Sequence, residues 1–221
     1  RLETPKQSQL TIQSISKRDL KMNIAILTFD GFNELDSFIA LGILNRMKGE
    51  GWNVQITCPS EKVTSMNGVT IEAQQPLAFV QQANVVLFGS GIYTREIAKD
   101  KTILAQLELD PSKQVIGAQC SGTLLLATLG LLNGLPACTD LTTKPWVIEA
   151  GIDVLNQPFI ANGNVATAGG CMSSQYLATW VISKIAGRSA AEAAIHYVAP
   201  VGEKDETVAR SIAVVEPYIK R

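Results

Sequence analysis

The chain of 221 residues is 46% hydrophobic and 18% charged, with 19 basic and 20 acidic side chains and a formal net charge of -1. That is enough apolar material for one large domain with a real core, and it leaves no basic surplus to hold nucleic acid or an anionic membrane. No apolar run approaches the roughly 20 residues that span a bilayer, so no membrane partner is expected.

Residues 1–21 read as a separate N-terminal arm or appended extension ahead of Met22. Lys6, Lys17, Arg18 and Lys21 lie among Gln, Ser and Thr, without the apolar segment of a secretory signal. From Asn23 the pattern changes. Ile24-Ala25-Ile26-Leu27 is a short buried strand closed by the turn signal Asp30-Gly31. Asn33 is a helix N-cap with Glu34 and Asp36 in the first turn, and the helix runs through Phe38, Ile39, Ile43, Leu44 and Met47 to Gly49 and Gly51. Val54-Gln55-Ile56-Thr57 is the second strand, and residues 63–71, with Asn67-Gly68 inside, form a β-hairpin. The run 84–88 is another buried strand, ending at Gly89-Ser90-Gly91, with a helix expected over 95–107. The strand 114–118 runs directly into Cys120, and an apolar helix over 124–132 closes at Asn133-Gly134. Later, Val165-Ala166-Thr167-Ala168 is a strand ending at Gly169-Gly170, and 176–185 and 190–198 are helical. Residues 203–221 form a C-terminal tail that begins polar and then carries Ile212, Val214 and Val215. It either packs back on the domain or extends from it. The domain itself is assigned to 22–202.

Strands alternating with helices imply an α/β fold: a doubly wound, mostly parallel sheet sandwiched by helices. Such sheets bind ligands at the carboxyl ends of their strands. Four turns follow strands and so share that edge: 30–36, 89–91, 119–122 and 169–170.

Four cysteines stand at 58, 120, 138 and 171, with no C-x-x-C pair, and His196 is the single histidine. A multi-histidine metal site is thereby excluded, no metal or cofactor is expected, and the thiols read as reduced cysteines of a cytoplasmic protein. His196, in a late helical pattern, is read as a structural or surface residue.

The segment Ile116-Gly117-Ala118-Gln119-Cys120-Ser121-Gly122-Thr123 has the form of a nucleophile elbow. Small residues are required two before and two after the nucleophile, because strand and helix backbones pass closely there. Ala118 and Gly122 hold those positions. The turn places Cys120 at a helix start, where unpaired N–H groups favour a thiolate. The backbone N–H of Ser121 faces the same space, and Ser90, after the neighbouring strand, supplies a second donor for an oxyanion. Cysteine is also among the most buried residue types, so a small packed cysteine is the plain alternative, and the one preferred for Cys58, Cys138 and Cys171. Cys171 is the nearest to an exception, because it follows the Gly169-Gly170 turn. Asp36 likewise has a structural reading, closing a capping box with Asn33. Its functional reading is as a carboxyl sharing the Cys120 pocket, its pKa raised by burial into the range of a useful acid.

These segments together resemble the DJ-1/ThiJ/PfpI superfamily, of class I glutamine amidotransferase-like (flavodoxin-like) fold, over roughly residues 22–200. The segment 24–36 matches at the family's acid, Asp36; 85–91 matches its glycine turn, with Gly89 and Ser90 at the oxyanion position; 116–122 matches its cysteine elbow. Gly130-Leu131-Leu132-Asn133-Gly134 with Thr139, then Thr167-Ala168-Gly169-Gly170, are similar to the branch of isonitrile hydratases and the amidase-like domains of some transcription regulators. That branch implies catalysis by the acid Asp36, the nucleophile Cys120 and the following hydroxyl residue Ser121, with Ser90, Gly89 and Gly170 around the oxyanion or substrate. Protease-like members carry histidine after the cysteine, where this chain has Ser121. Histidine and tryptophan, often found after the branch's threonine, are replaced by Asp140 and Leu141. No helix-turn-helix pattern with basic residues follows the domain, so no nucleic-acid partner is expected.

The resemblance implies an isonitrile hydratase-like lyase acting on a small molecule without metal or organic cofactor. Two alternatives are glyoxalase or deglycase action on reactive carbonyls, and a redox sensor or chaperone-like dimer in which Cys120 is oxidised. A homodimer is expected from the family, with the apolar helix 35–47 or the hairpin near Asn67 as its surface.

Overall fold

A computed structural model of the protein describes residues 21–219; apart from Lys21, the arm assigned to 1–21 lies outside them. The chain order is β1 (Met22–Leu27), α1 (Glu34–Leu44), β2 (Trp52–Cys58), β3 (Lys62–Thr64), β4 (Thr70–Glu72), β5 (Gln75–Pro76), β6 (Val85–Phe88), α2 (Thr94–Ile97), α3 (Lys101–Leu104), β7 (Val115–Gln119), α4 (Gly122–Thr128), α5 (Lys144–Glu149), β8 (Phe159–Asn162), β9 (Val165–Ala168), α6 (Ser174–Ala186), α7 (Arg188–Val198) and α8 (Lys204–Val215).

Seven strands form one sheet in the order β5-β2-β1-β6-β7-β9-β8, and β3 and β4 form the expected hairpin. All neighbours in the sheet run parallel except the β8–β9 pair at one edge. The central strands β1 and β6 are largely apolar and buried, because both faces of the sheet are covered there. Side chains alternate between the two covers. Ile24 and Ile26 of β1 join Leu44, Trp180, Val181, Ile195 and Ile212 on one side, whereas Ala25 and Leu27 join Phe88, Ile116, Leu125 and Val147 on the other. The first layer comes from α1, α6, α7 and α8, the second from α4, α5 and their flanking loops.

Three helices differ from the sequence expectation. The first, α1, expected through Met47, ends at Leu44 and tightens into a 3-10 helix over Asn45–Glu50. The helix expected over 95–107 is broken into α2 and α3, because the Asp100 side chain accepts from Thr102 N and Ile103 N and starts a new helix. The apolar helix expected over 124–132 begins earlier, at Gly122, and ends at Thr128, since Gly130 turns the chain at φ +72°. The short strand β5, the edge strand β8 and the one-and-a-half-turn helix α5 are additions. Residues 203–215 take the first of the two arrangements left open for the tail: α8 packs back, burying Ile212 and Val215. His196 is exposed on α7.

The parallel register sets the functional edge. Leu27 is level with Phe88, Phe88 with Ala118, and Gln119 with Ala168, so β1, β6, β7 and β9 end together. The connection from β1 leads outward to β2, and the chain returns to β6 on the other side of β1. This reversal opens the crevice in which doubly wound sheets hold ligands.

Candidate active site

Cys120 follows the last residue of β7 and precedes α4 by one residue. Its φ is +46°, and among the described residues it alone has positive φ without being glycine. Such a conformation costs on the order of 1–3 kcal/mol and persists only where its surroundings enforce it. The enforcement is visible. Cys120 N–H donates to Ala168 O at 2.8 Å, and Thr139 Oγ1 donates to Cys120 O at 2.8 Å. Two residues on, a Cβ at Gly122 would lie 2.6 Å from Gly89 O and 2.8 Å from Phe88 O. The small residue required by an elbow is therefore required here by the β6 backbone.

Asp36 enters from α1 and is 2% exposed. The capping box with Asn33 does not form. Asn33 N–H donates instead to Ser90 O at 2.8 Å, and Asn33 Oδ1 accepts from Leu35 N. The Asp36 carboxylate accepts from the Ser90 hydroxyl through Oδ2, while Oδ1 has no hydrogen-bond partner among the described residues. The neighbouring acid is engaged away from the cysteine, since Glu34 accepts from Ser65 Oγ and Asn67 Nδ2 and so ties the β3–β4 hairpin to α1.

A carboxylate oxygen of Asp36, Cys120 Sγ and Cys171 Sγ all lie within 4.8 Å of one another. Cys171 arrives from the turn after β9, and Asn33 Nδ2 donates to its sulfur at 3.2 Å. Gln119 Nε2 reaches Cys120 Sγ at 4.0 Å and Gly170 O at 3.1 Å. Ser121 stands beside this group with its hydroxyl already engaged. It accepts from Gly91 N at 3.0 Å and lies 2.7 Å from Thr94 Oγ1.

Burial raises the Asp36 carboxyl above the ordinary aspartate range, with the Ser90 hydroxyl and the two thiols drawing it partly back. Burial likewise raises the Cys120 thiol strongly, and the Asp36 charge adds to this. Cys171 is raised for the same two reasons. The thiolate-favouring effect expected of the helix start is thus opposed by desolvation and by a carboxylate, so a proton is held within the Asp36–Cys120 pair.

A cavity of about 330 Å³ opens onto Cys120. Ser90, Ser121 and Cys171 line it from the strand ends, and Met66, Ile92 and Trp146 give it an apolar wall. The Arg95 guanidinium lies over the Trp146 ring, 4.5 Å from its centroid, in a cation–π contact. Among the described residues, no histidine, lysine or arginine lines the cavity. Of the other residues singled out in the sequence, Gly89 lies beneath the elbow against Ser37 and Leu27, and Gly170 borders a neighbouring cleft with Asp140. Neither lines the Cys120 cavity. Sequence reasoning missed Thr94, Met66, Ile92 and Trp146, which come from a loop, a hairpin tip and a helix of no motif. Cys171 carried a signal, the Gly-Gly turn on the functional edge.

A cysteine on a strained strand-to-helix elbow, faced by a buried carboxyl at the switch point of a doubly wound sheet, defines a cysteine-dependent α/β protein of the nucleophile-elbow kind. The chain belongs to the DJ-1/PfpI family, whose family model matches residues 22–184. No curated protein matches it in sequence. Among solved structures, Schizosaccharomyces pombe DJ-1 superposes with a TM-score of 0.71 at 18% identity, over 81% of this chain and 100% of that one. Drosophila melanogaster DJ-1beta gives 0.69 at 18% identity over 81% and 98% of the two chains. A ThiJ/PfpI family protein from Pseudomonas syringae gives 0.70 at 19% identity over 97% and 95%. At these identities the likeness establishes the shared fold.

Proposed function

We propose that the protein hydrates isonitriles to N-substituted formamides, with Cys120 as nucleophile and Asp36 as acid and base. One observation carries the reading: the buried Asp36 carboxyl lies within 4.8 Å of the Cys120 thiol, and the cavity that opens onto Cys120 is lined by no histidine, lysine or arginine among the described residues. Proton transfer to and from a substrate at Cys120 then falls to Asp36. The apolar wall of Met66, Ile92 and Trp146 suits the substituent of a small neutral molecule.

The cycle starts with one proton on the pair. Cys120 sulfur bonds to the terminal isonitrile carbon as Asp36 protonates that carbon, giving a thioimidate. Asp36 carboxylate takes a proton from water as the water oxygen adds to the same carbon, and passes it to nitrogen. The tetrahedral adduct returns its hydroxyl proton to Asp36, the carbon–sulfur bond breaks, and formamide leaves with Cys120 restored as thiolate. The net change is addition of one water. The backbone N–H groups of Ser90 and Ser121 are assigned to the developing negative charge. Ser121, its hydroxyl held by Gly91 and Thr94, is assigned chiefly to positioning. Gly89 and Gly170 act through backbone shape, and the protein is expected to work as a homodimer.

NMR detection of formamide from a simple alkyl isonitrile tests the reading, wild type beside Cys120→Ser and Asp36→Asn. Product from the wild type alone supports it; equal turnover by Asp36→Asn would remove the role given to that residue, and no product from any form would remove the hydratase.

A second reading, redox sensing at Cys120, is favoured by one feature. Cys171 Sγ lies within 4.8 Å of the Cys120 sulfur, placed to capture a sulfenate formed by peroxide as a disulfide, with release of water. A mass decrease of two hydrogens after mild peroxide, without hydratase activity in the reduced protein, would favour it.

A further inference from the structure

The same three side chains have a property that the hydratase cycle does not use. Cys171 takes no part in that cycle, and Asp36 Oδ1 has no hydrogen-bond partner among the described residues, in a residue that is 2% exposed. We propose that Asp36, Cys120 and Cys171 form a binding site for a zinc-class divalent cation, with the cavity supplying a fourth position for water or a small anion.

Three observations support this. The first is spacing. A zinc–thiolate bond is about 2.3 Å, so two thiolates on one tetrahedral ion stand roughly 3.8 Å apart. The three donor atoms here all lie within 4.8 Å of one another, and small side-chain rotations close the difference. The second is what stands behind each donor. Ser90 Oγ donates to Asp36 Oδ2, Asn33 Nδ2 to Cys171 Sγ and Gln119 Nε2 toward Cys120 Sγ. Metal ligands are oriented by such outer hydrogen bonds, and thiolate charge is spread by them. The third is charge. Asp36 is buried behind the cavity, Asp140 borders it, and among the described residues no lysine or arginine lines it to balance them. With no basic side chain there, the Asp36 charge is offset by the proton it shares with Cys120, and a divalent cation would take that proton's place.

Two sulfurs and one carboxylate select borderline-soft ions such as Zn²⁺ or Co²⁺ over Mg²⁺ or Ca²⁺, which require oxygen donors. Binding forms two metal–sulfur bonds and one metal–oxygen bond, and releases the thiol protons to solvent. Since it occupies Cys120 sulfur, a bound ion would also block any reaction that uses this residue as nucleophile. The site does not depend on the hydratase reading.

The full-length protein, reduced and freed of metal by a chelator, would be titrated with Zn²⁺ alone and, separately, with Co²⁺. The expected result is one equivalent of Zn²⁺ bound, and with Co²⁺ a sulfur-to-metal charge-transfer band. Cys171→Ser and Asp36→Asn, each checked for folding by circular dichroism, should weaken Zn²⁺ binding at least 100-fold, and Cys171→Ser should diminish the charge-transfer band. Absence of that band in the wild type, or Zn²⁺ affinity unchanged in both variants, overturns the proposal.

Discussion

The Ser90 hydroxyl donates to the Asp36 carboxylate, so the acid on α1 is held by the turn that follows β6. Asn33 N–H returns the connection by donating to Ser90 O. The two loops on either side of the crevice are thereby fixed to each other at the residue that faces Cys120.

Ser90→Ala tests this link. The hydroxyl bonds the charged form of Asp36 and lowers its pKa, so its loss should raise that pKa further. A pH–rate profile should show the limb governed by Asp36 moved to higher pH. Leaving a buried carboxylate oxygen unpaired should also cost about 1–3 kcal/mol in a urea titration.

Asp36 gives a stability prediction of definite sign. A carboxyl whose folded pKa lies above its unfolded value binds more protons in the folded state between the two values, so stability falls as pH rises through that window. Asp36→Asn abolishes this dependence. Relative to wild type, the variant should gain stability as pH rises from about 4, measured by urea midpoints across pH; a gain on acidification would contradict the raised pKa.

The elbow glycine and a helix glycine should respond oppositely. At Gly122 a Cβ would fall 2.6 Å from one carbonyl oxygen and 2.8 Å from another, and neither backbone atom has room to withdraw. Gly122→Ala should destabilise by about 2 kcal/mol or more. Gly42, inside α1, has nothing within 4 Å of its Cβ direction. Gly42→Ala should stabilise by roughly 0.5–1 kcal/mol.

The four thiols should separate under alkylation. Burial pushes Cys58 and Cys138 up to about 12 each, and the charge of Asp30 adds to the effect at Cys58. Iodoacetamide at mildly alkaline pH should leave both unmodified in the native protein. Cys171, the one cysteine that is not buried, should react first. Peptide mass mapping checks the order, and all four should react after unfolding.

The sequence disclosed the parts of this site that depend on local chemistry. Asn33 is an N-cap, Ala118 and Gly122 flank Cys120 in an elbow, and Asn67-Gly68 turns a hairpin, because each follows from residues a few positions away. The break at Asp100 is equally local, yet there an Asx interaction competes with an otherwise helical pattern, and periodicity alone runs straight through it. The approach of Cys171 to Asp36, and of Met66 and Trp146 to the cavity, depends on strand order and helix packing. Periodicity carries no information about those. The β8 strand carried a local signal that periodicity does not weigh, since Gly163-Asn164 between two short runs is a two-residue hairpin turn.

The bond from Asn33 to Cys171 joins residues 138 positions apart in the chain. At synthesis rates of 5–20 residues per second, roughly 7–28 s pass between the appearance of one and the other. Asp36 and Cys120 therefore exist on the nascent chain well before the last strand that orders their surroundings. For about 2–10 s after its own synthesis Cys120 has neither its carbonyl anchor at Ala168 nor its neighbour at Cys171. The pocket exists only once β9 and the turn after it have been made, and a chain truncated before β9 would carry Asp36 and Cys120 without the site.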